Sequence, residues 1–290
     1  MGEIVYLDYD PDTLYAEYNN RGKVADYEAM AADWAKRGDA VRERLAGQAA
    51  LDLRYGDGPR ETFDLFLPEA EHPPLFAFIH GGYWQWNDKE PYAFLADSFV
   101  DAGIGFANIE YALCPDVTLE QLVDQIRRAF AHLWREAGEL GFDRDRIMVS
   151  GHSAGGHLTG VVLTTDWQQY QDGLPPDLVC AAMPISGVFD VEPIRHTPIG
   201  DPLGLDAESA SRLSPMFALP RTKANTVIAL GAHEGREFHR QAEEFASNLR
   251  RHGTRVRIDS VFGANHFSVL ESLADPAGLL FSRAKSLLGV

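Results

Sequence analysis

The chain has 290 residues, 45% hydrophobic and 24% charged, the composition of an ordinary globular protein long enough to bury a large core. Its formal net charge of −17 argues against nucleic-acid or anionic-membrane partners, and no apolar run approaches the length of a bilayer span. The amino terminus shows neither the basic nor the apolar region of a secretory signal. Cys114 and Cys180 share no metal-binding spacing, so the expectation is a cytoplasmic protein with reduced thiols. Along the chain, residues 26–46 read as a helix, with Tyr27, Met30, Trp34, Val41 and Leu45 at helical spacing. Residues 51–55 and 62–67 read as two strands joined by the turn Gly56-Asp57-Gly58-Pro59. A continuous apolar strand at 75–79, a helix at 91–102 and a strand at 103–109 follow. Residues 119–140 form a long amphipathic helix ending at Gly141, then come a strand at 145–150 and a helix at 154–165. Strands at 180–185, 226–230 and 255–261, a helix at 238–252 and a helical stretch opening at His266 complete the series.

This alternation predicts an α/β fold: one domain over residues 1–290, with a mostly parallel central sheet and helices on both faces. Two segments fall outside the alternation, the helical residues 1–48 and the loop-rich residues 189–221. They are the candidates for a small helical lid over the carboxyl edge of the sheet.

The most informative local pattern is Gly151-His152-Ser153-Ala154-Gly155. A G-x-S-x-G placed between a strand and a helix is a nucleophile elbow, in which a tight turn projects the serine hydroxyl from the sheet edge. A serine hydroxyl needs a base, and the base needs a carboxylate to orient it. His266 follows the strand at 255–261 in the short turn Phe262-Gly263-Ala264-Asn265, where a base could reach the elbow. Glu234 is the first carboxylate past the strand at 226–230 and is the candidate acid, with Asp190 and Glu237 as rivals. Developing charge on a carbonyl oxygen requires preorganised donors. The expected ones are the N–H groups of Ala154, in the elbow, and of Gly82 and Tyr83, in His80-Gly81-Gly82-Tyr83-Trp84. Trp84 and Trp86 are candidate substrate contacts, whereas His80, His152, His157 and Trp34 read as structural. The spacing of His233, Glu234, Glu237 and His239 fits no metal site, no cofactor fingerprint is present, and neither metal nor cofactor is expected. The expected partner is a small-molecule substrate, with a second copy of the chain left open.

The whole chain resembles an α/β-hydrolase of the kynurenine formamidase (arylformamidase) group, within the hormone-sensitive-lipase-like esterases. The resemblance rests on the H-G-G-x-W loop from His80 to Trp84 and the elbow extended through Gly156-His157-Leu158. It also rests on the block Glu237-Phe238-His239-Arg240-Gln241 and on the early Tyr18-Asn19-Asn20-Arg21. It implies a triad of Ser153, Glu234 and His266, although arylformamidases often carry Asp where this chain has Glu234. It further implies cofactor-free hydrolysis of an N-formyl aryl amine through a formyl-enzyme, with small acyl esters as the alternative substrates. A fold that has lost catalysis would lack the nucleophile or the base, and this sequence keeps both.

Overall fold

The computed structural model of the protein describes residues 2–290. Eight strands form one sheet: β1 (Ala49–Arg54), β2 (Thr62–Phe66), β3 (Leu75–Ile79), β4 (Gly105–Ile109), β5 (Ile147–His152), β6 (Ala181–Ile185), β7 (Asn225–Gly231) and β8 (Val256–Val261). Their order is β1-β2-β4-β3-β5-β6-β7-β8. β1 and β2 pair antiparallel, as do β2 and β4, and every other neighbour is parallel. β3 to β6 are buried along their whole length because helices cover both faces, which explains their continuous apolar runs.

The helices are α1 (Pro11–Tyr18), α2 (Asn20–Lys23), α3 (Tyr27–Arg44), α4 (Ala96–Asp101), α5 (Leu119–Leu140), α6 (Ala154–Thr164), α7 (Trp167–Tyr170), α8 (Ala207–Leu213), α9 (Arg236–Arg251), α10 (Glu271–Ala274) and α11 (Leu279–Leu288). Local chemistry sets the ends of α5. Thr118 and Gln121 exchange side-chain-to-backbone hydrogen bonds at its start, and Gly141, at φ 88°, closes it. Its stripe of Leu122, Ile126, Phe130 and Leu133 packs with Leu158 of α6 and Phe245 of α9 on one face of the sheet. Trp34 of α3, Phe99 of α4 and Phe281 of α11 pack on the other. Truncating any one of these aromatic side chains would cost about 3–5 kcal/mol.

Several predicted elements differ in detail: the strand expected at 145–150 is β5 at Ile147–His152, and the helical stretch expected from His266 is a 3₁₀ segment, Ser268–Leu270, followed by α10 and α11. The helix expected at 91–102 begins as a 3₁₀ segment, Glu90–Leu95, before α4. The strand expected from 103 begins at Gly105, since the turn at Gly103 (φ 78°) precedes it. Among the described residues, no helix is long and apolar enough to cross a membrane.

Candidate active site

The elbow sits where β5 ends at His152 and α6 begins at Ala154. Ser153 occupies the turn at φ 57°, ψ −113°, a conformation that costs a non-glycine residue about 1–3 kcal/mol. Packing enforces it. The Ser153 N–H donates to the Ile185 carbonyl at 2.8 Å, and the Ser153 carbonyl accepts from the His157 N–H at 3.0 Å. A Cβ on Gly155 would stand 2.0 Å from the Ile79 carbonyl oxygen, so only glycine lets α6 lie against β3.

Glu234 and His266 occupy loops beyond the ends of β7 and β8, on either side of one gap. The His266 Nδ1–H donates to Glu234 Oε2 at 2.8 Å, and His266 Nε2 accepts from Ser153 Oγ at 3.0 Å. The carboxylate fixes the proton on Nδ1 and leaves Nε2 free to act as a base. The other carboxylate oxygen, Oε1, accepts from Ser186 Oγ and from the Gly231 N–H, each at 2.6 Å. Three donors therefore lock the Glu234 side chain, which is fully buried. Ser186 lies just past β6 at φ 52°; as a lone serine at a strand end, it carries no sequence signal for this role. His152 supports the base from below. Its Nε2–H donates to the His266 carbonyl at 2.6 Å, and burial, followed by the neighbouring His266, holds its pKa well below the ordinary imidazole value.

The rival carboxylates are elsewhere. Asp190 accepts from Tyr6 Oη at 2.8 Å, and Glu237 binds Arg240 and Tyr18. Glu234, Glu237, His233 and His239 do not converge. Among the described residues, the one group spaced to hold a metal ion is Asp88, Glu90 and Glu110, whose carboxylates already bind Arg60, Lys89 and His80.

The donor loop is held in an unusual backbone path. Gly82, Tyr83 and Trp84 have φ values of 123°, 49° and 60°, and a Cβ on Gly82 would meet the Trp86 carbonyl at 2.2 Å. His80 braces the loop between the Gly81 carbonyl and Glu110, and Asn87 Nδ2 donates to the same Gly81 carbonyl. The N–H groups of Gly82, Tyr83 and Ala154 have no acceptor among the described residues, so they remain available to an incoming oxygen.

Trp84 requires a correction. It is fully buried and lies outside the cleft. The loop's backbone path turns it inward, where its Nε1–H donates to His157 Nδ1 at 3.1 Å; His157 Nε2–H in turn donates to the Leu213 carbonyl at 2.8 Å. Trp86 does line the cleft. Its walls otherwise come largely from the first helices, through Tyr15, Tyr18, Arg21, Tyr27 and Trp34, whereas residues 189–221 contribute Ile199. Trp34 is thus both core and wall. The cleft opens above Ser153 and His266.

Comparison with known proteins places this geometry in a family. The profile of the BD-FAE family matches residues 63–249. Kynurenine formamidases of Danio rerio and Salmo salar are 32% and 31% identical over 88% and 81% of this chain, which covers 87% and 80% of theirs. The chain belongs to the kynurenine formamidase family. Like the curated members of that family, it is a hydrolase. A crystal structure provisionally assigned as a thioesterase, from Silicibacter sp. TM1040, superposes with a TM-score of 0.83 at 32% identity, covering 93% of this chain and 97% of that one. An esterase from Pyrobaculum calidifontis, at 18% identity and a TM-score of 0.71 over 96% of this chain and 97% of its own, shares the α/β-hydrolase fold. In this kynurenine formamidase relative the E-F-x-R-Q block has a structural role. Tyr18 Oη donates to Glu237 and accepts from Gln241 Nε2, which ties α1 to α9 and the first wall of the cleft to the body of the protein.

Proposed function

We propose that the protein hydrolyses N-formyl aryl amines of the N-formylkynurenine type, with Ser153 as nucleophile, His266 as base and Glu234 as orienting acid. The observation that carries this reading is the continuous Glu234–His266–Ser153 hydrogen-bond chain opening into an aromatic cleft. The kynurenine formamidase relatives support the choice of substrate. Ser153 Oγ attacks the formyl carbon as His266 Nε2 takes its proton, and the N–H groups of Gly82, Tyr83 and Ala154 receive the oxyanion. His266 returns the proton to the departing aryl amine. Water, deprotonated by the same imidazole, then releases formate from the formyl-enzyme.

A formyl carbonyl carries only hydrogen, so a formamidase needs no room on the acyl side. In one series of aryl esters, kcat/KM should fall from formyl to acetyl to butyryl, each methylene that does not fit costing about 1–3 kcal/mol. N-formylkynurenine should be cleaved by the wild type, and Ser153→Ala should lose several orders of magnitude in kcat. A preference for butyryl esters with no cleavage of N-formylkynurenine would instead identify a carboxylesterase.

A further inference from the structure

The cleft above Ser153 contains one formally charged side chain other than its histidines, Arg21 of α2. The chain has 43 Asp and Glu residues against 26 Lys and Arg, so most of its arginines have a carboxylate within reach. Arg21 has none: among the described residues it makes neither an ion pair nor a hydrogen bond. Its neighbours are two aromatic rings. The guanidinium carbon lies 4.9 Å from the centroid of Tyr27 and 4.7 Å from that of Trp86. A ring face attracts a guanidinium without taking any of its N–H donors, so the cation is held in position with its hydrogen-bonding fork unused. Tyr27 belongs to α3 and Trp86 to the loop after the donor glycines, so Arg21 is fixed from two sides of the cleft.

We propose that Arg21 binds a carboxylate carried on the leaving group, so that the preferred substrate is an aryl formamide or ester whose ring bears an anionic arm. A planar guanidinium takes a carboxylate through two parallel N–H···O bonds, and Arg21, exposed beside the 40% exposed ring of Trp86, is open to one arriving from solvent. The arm thereby sets the orientation of the ring, and with it the position of the scissile carbonyl over Ser153. The inference rests on the formamidase reading for the formamide and not for the arm: N-formylkynurenine carries a carboxylate of this kind, whereas formanilide has the same scissile bond without it.

The test compares kcat/KM ratios between charged and neutral partners in two pairs. One pair is N-formylkynurenine against formanilide; the other is the acetate ester of hydroxyphenylpropanoic acid against phenyl acetate. The wild type should favour the charged member of each pair. In Arg21→Gln that ratio should fall by about tenfold, the size of a lost charge-assisted hydrogen-bonded pair. Arg21→Lys, which keeps the charge and loses the fork, should retain part of the preference. If Arg21 serves only to hold α2 against Trp86, substitution slows both members of a pair together and the ratio does not move; that result overturns the proposal. Equal ratios in the Lys and Gln variants also overturn it. If neither formamide is cleaved, the formamidase reading fails while the ester pair still decides the role of Arg21.

Discussion

At the scale of single residues, the site is a set of hydrogen bonds whose directions are fixed by which partner can only accept. Glu234 is acceptor-only, so the proton of His266 sits on Nδ1. Glu234→Gln places an amide there, which can donate to Nδ1 and stabilise the wrong tautomer. We expect kcat to fall by roughly three to four orders of magnitude in the folded variant. Asp190→Asn, whose partners are Tyr6, Ser214 and the Glu192 N–H, should leave kcat close to wild type. A larger loss from Asp190→Asn, with thermal unfolding unchanged, would place the acid one strand earlier. Ser153 and His266 were legible in the sequence because an elbow motif and a turn after a strand are local patterns. Glu234 followed from its place after β7. Ser186 was not legible, since its contact with Glu234 spans 48 residues and nothing around it marks a special serine. Trp84 misled for a different reason. Position along the chain does not give direction when three successive residues have positive φ, and the side chain turns away from the glycines it follows.

At the scale of elements, strand and helix positions followed from hydrophobic runs and were readable, whereas several of their limits shifted. Which segment covers the cleft was not. Residues 1–48 and 189–221 both fall outside the alternation, and both are tied down by long-range polar contacts that no local pattern announces. Tyr18 is 1% exposed; its hydroxyl bridges Glu237 and Gln241, and its carbonyl accepts from Tyr83 Oη. Tyr18→Phe keeps the ring but leaves the amide of Gln241 and the carboxylate of Glu237 each short of a partner. The expected loss is about 1–3 kcal/mol of unfolding free energy, measured by urea denaturation. A variant as stable as wild type would mean that this hydroxyl does not anchor α1.

For the whole molecule, buried neutral histidines couple folding to pH. Burial pushes His157 down to about 4, and its two hydrogen bonds require the neutral ring with its proton on Nε2. A histidine with a folded-state pKa below its unfolded value near 6.5 contributes stability that is complete above that value. The contribution is lost as the pH falls towards 4 and amounts to about 3 kcal/mol for His157. His152 acts in the same direction. Asp64 and Asp190, whose pKa values are raised chiefly by burial, act in the opposite direction, so the histidine effect is read by difference. Between pH 6 and 4.5, the unfolding free energy of His157→Gln should fall less steeply than that of wild type, by up to about 1.4 kcal/mol per pH unit. Parallel slopes would show that His157 takes up no proton on unfolding. The wiring of the cleft also bears on synthesis. In sequence, Ser153 lies between the wall residues Arg21 and Tyr27 and its hydrogen-bonded partners Glu234 and His266. A nascent chain stalled before Glu234 already carries the elbow, yet it lacks Glu234 and His266 to complete the hydrogen-bond chain from Ser153, and Glu237 and Gln241 to receive Tyr18. If the proposed mechanism holds, hydrolysis begins only once His266 has been made and α1 has docked on α9, so chains truncated before His266 should show no turnover in a translation reaction.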